Sequence, residues 1–211
     1  MRGEPKRQFP HPSIRRLPSY LRLLRQLRIE GSPKVSCTKI AKELDLDSTQ
    51  VRKDLALTGI TGRPRIGYEL APLIDAIENF LGWKKLTDAF LVGSGSLGRA
   101  LIGYDKFINF GLNIAAAFDV ADDKVGSDIF GRKIYHLNDM PALAKEMSVT
   151  MGILTVPSSA AQSAANIMIG SGIKGIWNFA PVKLDLPANV AVENVELVSS
   201  LAVLSVNMLG K

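Results

Sequence analysis

Three glycines and an acid carry the clearest chemistry in this chain. Residues 92–101 read Val-Gly-Ser-Gly-Ser-Leu-Gly-Arg-Ala-Leu, which sets Gly93, Gly95 and Gly98 at Gly-x-Gly-x-x-Gly spacing directly after the apolar run Ala89-Phe90-Leu91-Val92. A strand that turns on glycine into a helix is the context in which that spacing binds a pyrophosphate. Gly93 makes the tight turn, Gly95 lets backbone amides approach the phosphates, and Gly98 lets the helix pack against the strand. Gly93, Ser94, Gly95, Ser96, Leu97 and Gly98 are thus the candidate phosphate loop, and the helix start adds N–H groups and a positive dipole end. Asp119 closes the next apolar run, 21 residues after Gly98. A carboxylate there accepts both hydroxyls of an adenosine ribose. It also repels a 2′-phosphate, and Val120, Ala121, Asp122 and Asp123 supply no arginine to receive one, which favours NAD over NADP.

A second chemistry sits upstream. The formal net charge of +6 is confined to residues 1–80, with 15 Lys and Arg against 9 Asp and Glu, while residues 81–211 hold 11 of each. A basic segment joined to a neutral one points to a polyanion partner for the first part. Ser48, Thr49, Gln50, Arg52 and Lys53 lie in Asp47–Gly59, which reads as a helix capped at Asp47 or Ser48. The preceding Ser36–Leu46 reads as a shorter helix with Ile40, Ala41 and Leu44 inward, and the turn of Asp45, Leu46 and Asp47 completes a helix-turn-helix. The stretch from Ile60 to Leu70 adds Arg63 and Arg65 between glycines, suited to a basic β-hairpin wing on phosphate or minor groove.

Those residues need elements to position them. Leu17, Leu21, Leu24 and Leu27 form a helical stripe within residues 13–29, ended by Gly31, Ser32 and Pro33, and residues 71–85 read as another helix with Leu73, Ile74, Ile77 and Leu81 inward. Beyond residue 88 apolar runs (89–92, 112–119, 151–156, 175–179 and 190–195) alternate with helical segments, the pattern of a parallel α/β sheet. The boundary falls near residues 82–88. At the ends of the later runs stand Val156 and Pro157, then Asn178, Phe179, Ala180 and Pro181, where open α/β sheets bind ligands; these are assigned to the nicotinamide side.

Catalysis is poorly provided for. A dehydrogenase needs His, or Tyr with Lys, to move a proton, yet the two histidines are His11 in a proline-rich lead and His136 in Ile-Tyr-His-Leu-Asn-Asp-Met, which reads as a surface loop; no Tyr-x-x-x-Lys occurs. Composition bounds the rest. The 211 residues, 46% hydrophobic and 22% charged, suit one or two globular domains. The single Cys37 excludes a disulfide framework and a multi-cysteine metal site, which favours a reducing, cytoplasmic setting, and no run of about 18 apolar residues or signal-type core points to a membrane. A DNA-binding head on a dinucleotide-binding body makes sense as a redox sensor, because NAD+ carries a cationic nicotinamide and NADH a neutral one that an apolar pocket prefers. A small NAD-dependent oxidoreductase or CoA-binding protein with an incidental basic head is the alternative from the residues alone, and a structural DNA-binding dimer with a degenerate nucleotide fold is a third.

Residues 16–24 (RLPSYLRLL), 48–56 (STQVRKDLA), 66–68 (IGY), 92–101 (VGSGSLGRAL), 175–184 (GIWNFAPVKL) and 192–197 (VENVEL), in this order, resemble the redox-sensing transcriptional repressor (Rex) family nearly end to end. The resemblance implies an N-terminal winged helix (1–84), a Rossmann-type NAD(H)-binding domain (85–195) and a C-terminal helix (196–211) exchanged between the protomers of a homodimer. It implies binding of palindromic operator DNA when NADH is scarce and release when NADH binds. It also implies that Tyr104 beside the nucleotide, Arg22 on the first helix and the acid at position 196 couple the two activities. Position 196 is Glu where the family usually has Asp, and Pro64 stiffens a wing commonly written Gly-Lys-Arg-Gly-Val-Gly-Tyr.

Overall fold

The computed structural model describes residues 9–210; most of the proline-containing lead and the final lysine lie outside the described residues. The chain divides after Lys84 into two compact units.

In the first unit the leucine spacing becomes α1 (His11–Ile29), which buries Leu17, Leu21, Leu24 and Leu27 together with Tyr20. α2 (Cys37–Glu43) is capped by the Ser36 hydroxyl, which accepts from the Lys39 amide, and α3 (Ser48–Ala56) by the Asp47 carboxylate, which accepts from the amides of Thr49 and Gln50. Such side-chain caps satisfy amides that a helix start leaves orphaned. Strand β1 (Lys34–Val35) pairs antiparallel with β2 (Tyr68–Glu69), and α4 (Leu70–Phe80) follows at once. Ile40, Val51, Leu55, Leu73, Ile74 and Ile77 complete one core with the α1 leucines.

Two expectations change here. The helix expected over residues 71–85 stops at Phe80, because Gly82 takes a left-handed φ of +73° and turns the chain. The wing is shorter than a hairpin: beyond β2, a single bridge joins Arg63 to Gly67. Gly67 lies so close to the Val35 carbonyl that an added Cβ would stand 2.3 Å from its oxygen, so the loop is pinned to β1 rather than extended.

The second unit is a seven-stranded sheet in the order β5-β6-β4-β3-β7-β8-β9, built from β3 (Thr87–Val92), β4 (Leu112–Asp119), β5 (Asp128–Ile129), β6 (Arg132–His136), β7 (Met151–Leu154), β8 (Gly175–Asn178) and β9 (Ala191–Asn194). All pairings are parallel except β5 with β6. Apart from the β5 hairpin, this is the doubly wound dinucleotide order, and the reversal of direction between β3 and β7 is its switch point. The helices α5 (Ser96–Ile102), α6 (Met140–Met147) and α7 (Ser158–Gly170) follow strands as crossovers require. Phe90, Phe118, Leu154 and Met168 centre the core on one sheet face, and Leu91, Ile134 and Ile153 on the other. The segment read as a loop around His136 is in fact β6, in register with β4 so that His136 faces Asp119 across the ladder. Last comes α8 (Leu197–Met208).

Candidate dinucleotide site and nucleic-acid interface

The glycine turn stands at the switch point. Gly93 holds φ at +99° and donates its amide to the Phe118 carbonyl (2.8 Å), and Thr155, just past β7, places its hydroxyl 2.7 Å from the Gly93 carbonyl. Gly98 needs its bareness for packing: a Cβ there would lie 2.1 Å from the Gly93 oxygen, whereas one on Gly95 would meet no protein atom within 4 Å. Gly95 is therefore the face on which a ligand can approach the backbone. Arg99 is the first residue of α5 bonded back along the helix, to the Gly95 carbonyl (2.9 Å), so the amides of Ser96, Leu97 and Gly98 precede the ladder.

Asp119 ends β4 beside this turn. Its Oδ2 accepts from the Ser94 amide (2.8 Å), the Ser94 hydroxyl (2.5 Å) and Lys124 Nζ (3.1 Å), and its Oδ1 from the amides of Val120 (2.9 Å) and Ala121 (3.1 Å). Burial opposes its charge, but the Ser94, Lys124 and Ala121 bonds outweigh that cost and hold the carboxyl far below the usual range. The acid therefore stays ionised and oriented at any working pH.

At the other strand ends, Val156 is half-buried and Pro157 precedes α7. Asn178 is fully buried and inward-committed: it donates to the Val182 carbonyl and the Asn194 side chain, and accepts from the Ala180 amide. Assigned from sequence to the nicotinamide side, it shapes the turn carrying Phe179, Ala180 and Pro181, because a buried amide must spend its valences inside the protein. A row of ring contacts runs from Phe179 through Trp177 and Phe107 to Tyr104, with centroid separations of 4.8, 5.7 and 4.9 Å.

In the first unit, α3 presents Thr49, Arg52 and Lys53 to solvent, and the bridged loop presents Arg63 and Arg65, the latter at φ +61°. Ser48 and Gln50 are half-buried. Gln50, expected on the DNA side, donates its amide to Asp54 Oδ1 (2.7 Å) one turn on. Asp54 is wholly buried and also takes two bonds from Arg16 (2.7 and 2.9 Å) and one from the Tyr20 hydroxyl (2.6 Å), which ties α1 to α3. The recognition surface thus rests on a buried ionic clamp that spacing did not reveal.

Family models match both parts of the chain: "CoA binding domain" over residues 84–182 and "Putative DNA-binding protein N-terminus" over residues 8–56. A protein of Treponema denticola named redox-sensing transcriptional repressor Rex is 47% identical over 197 residues, 93% of this chain and 94% of that one. The chain belongs to the Rex family. Among solved structures, RSP, a Rex-family repressor, in complex with β-NAD+ and operator DNA is 30% identical with a TM-score of 0.90, covering 96% of this chain and 94% of that chain. RSP in complex with β-NADH gives 30% and 0.87, covering 96% and 95%. These Rex relatives are named as repressors, not enzymes.

Of the residues that the sequence resemblance singled out, Arg22 is exposed on α1 and Tyr104 is exposed after α5. Glu196 precedes α8 and accepts a hydrogen bond from the Ser199 hydroxyl (2.7 Å). Sequence reading missed Thr155, Lys124 and the strand position of His136. Lys124 had a readable signal: it stands five residues after Asp119, in a short segment ended by Gly126.

If Arg52 and Lys53 lie on DNA phosphates, replacing either by alanine lowers the slope of log affinity against log salt by about one. A slope unchanged in both variants, measured by fluorescence anisotropy, would remove α3 from the interface.

Proposed function

We propose that this chain is a cytoplasmic redox-sensing repressor, a homodimer that grips operator DNA through residues 1–84 and lets go when NADH occupies residues 85–195. The observation that carries this is the end-to-end match, across both units, to a repressor solved with operator DNA and with both redox forms of the dinucleotide. The site suits such a ligand. Gly95 leaves the phosphate approach open, Asp119 is ionised to receive ribose hydroxyls, and Val156, Pro157 and the 178–181 turn border the nicotinamide end. NAD+ and NADH supply the redox information, and the protein supplies only binding and orientation.

Residues 196–211 fit the exchanged helix. On α8, Val198 is 74% exposed, Leu201 60%, Leu204 55% and Met208 78%, an apolar face that needs a partner surface. In this reading a second protomer supplies that surface. Tyr104 beside the nicotinamide, Glu196 at the start of the exchanged helix and Arg22 on the DNA-binding unit then link redox state to the spacing of the two recognition helices. Only a ligand with unequal affinity for the two states shifts that balance. A hundredfold preference for NADH corresponds to about 2.7 kcal/mol, within reach of an apolar nicotinamide pocket.

A gel shift on palindromic operator DNA, titrated with each nucleotide, tests this: NADH releases the DNA at concentrations where NAD+ does not, and equal responses overturn the sensor. Asp119→Ala removes a charge-assisted bond to ribose, so NADH affinity drops about thirtyfold while operator binding persists. Calorimetry showing parental NADH affinity in that variant would take Asp119 out of the site.

A further inference from the structure

The acceptor capacity of Asp119 is full. An ionised carboxylate offers about four lone-pair sites, and five donors already converge on it from Ser94, Val120, Ala121 and Lys124. A ribose hydroxyl reaches Oδ2 only by taking the place of one of these donors. The three backbone amides belong to the strand end and the glycine turn, and Ser94 is buried within that turn. Lys124 differs from all of them. Its side chain is 39% exposed, its 3.1 Å bond is the longest on Oδ2, and a flexible four-carbon stem can carry its ammonium into water.

We propose that Lys124 is a latch on the ribose subsite, its ammonium and a ribose hydroxyl being alternative donors to the same Asp119 oxygen. This rests on the dinucleotide reading of the site. Lys124 guards the adenosine end, which NAD+ and NADH share, so the latch sets how much total dinucleotide the chain requires and leaves its redox preference untouched. The nicotinamide end then sets the ratio, and the adenosine end sets the threshold. Dividing the two tasks lets a single surface residue tune sensitivity without disturbing the pocket that distinguishes the redox forms.

The test is calorimetric titration of the full chain with NADH, NAD+ and ADP-ribose, for the parent, Lys124→Met and Lys124→Arg. Methionine keeps the stem and removes the competing charge. A partly exposed ion pair of this kind corresponds to about fivefold in affinity, so Lys124→Met binds all three ligands about fivefold more tightly, with the NADH-to-NAD+ ratio unchanged, and Lys124→Arg stays near the parent. If Lys124→Met leaves affinity unchanged or weakens it, the latch is overturned and Lys124 is a spectator or holds the ribose itself. A changed NADH-to-NAD+ ratio overturns it as well. If the parent binds none of the three, the dinucleotide reading falls, and the latch with it.

Discussion

Gly98→Ala raises the NADH concentration needed for release about a hundredfold while leaving operator binding intact. The added methyl carbon would sit 2.1 Å from the Gly93 carbonyl oxygen, 3.0 Å from Leu91 and 3.1 Å from the Thr155 hydroxyl. None of these yields easily. The Gly93 oxygen is backbone, held by Thr155, and Leu91 is wholly buried. Relief comes only by moving the start of α5 away from β3, which shifts the amides meant for the pyrophosphate. Overpacking costs about 1–3 kcal/mol, and spent at the phosphate loop that loss corresponds to roughly a hundredfold in affinity. The variant behaves as a repressor that stays on its operator at NADH concentrations that release the parent. Gel shifts with and without NADH read this directly, and release at the parental concentration would show that the close packing at Gly98 has no role in binding.

Asp54→Asn lowers the melting temperature of the first unit by about 15 °C. Each oxygen of Asp54 faces two donors, Oδ1 the Arg16 guanidinium and the Gln50 amide, Oδ2 the Arg16 guanidinium and the Tyr20 hydroxyl. Whichever oxygen becomes NH2, a donor meets donors. Breaking a buried pair costs about 3–5 kcal/mol, with the low end apt here because Arg16 keeps some access to water. For a unit of this size that is roughly 15 °C. The same clamp dictates a pH dependence. Burial opposes ionisation of Asp54, yet the bonds from Arg16, Tyr20, Ser13 and Gln50 prevail and bring its carboxyl down to about 2 from 3.8. The folded value lies below the unfolded one, so the stabilisation is complete above about pH 4 and is lost as pH falls through about 2. Thermal unfolding of the parent and of Asp54→Asn across pH 2–7 checks both points; a melting curve for Asp54→Asn that overlays the parent's would show the clamp to be inert.

The parts legible from sequence are those settled over a few residues. Leucines at helical spacing along α1, caps at Ser36 and Asp47, and glycines that turn the end of β3 into α5 each act within one or two turns of chain, so residue types alone declare them. The parallel strands were legible for a related reason: strands buried on both faces read as continuous apolar runs. β6 was not. Arg132, Lys133 and His136 break its pattern, and only its pairing beside β4 makes it a strand. The wing was overread, since arginines between glycines suit a hairpin equally well until Gly67 is seen pressed onto Val35.

Residue identity alone determined that an acid ends β4, that a basic head precedes a nucleotide fold, and which side chains are chemically able to serve each. Tertiary structure decided how those side chains are occupied: Gln50 turned inward to Asp54, Asn178 spent within its turn, Thr155 on the glycine loop and Lys124 on Asp119. The physical reason is that a hydrogen bond is won by whichever donor the fold brings within about 3 Å. Thr155 reaches the glycine loop from 62 residues along the chain, which no local spacing records; the bonds of Gln50 to Asp54, Ala180 to Asn178 and Lys124 to Asp119 join near neighbours, where spacing allows the contact and only the surrounding packing selects it.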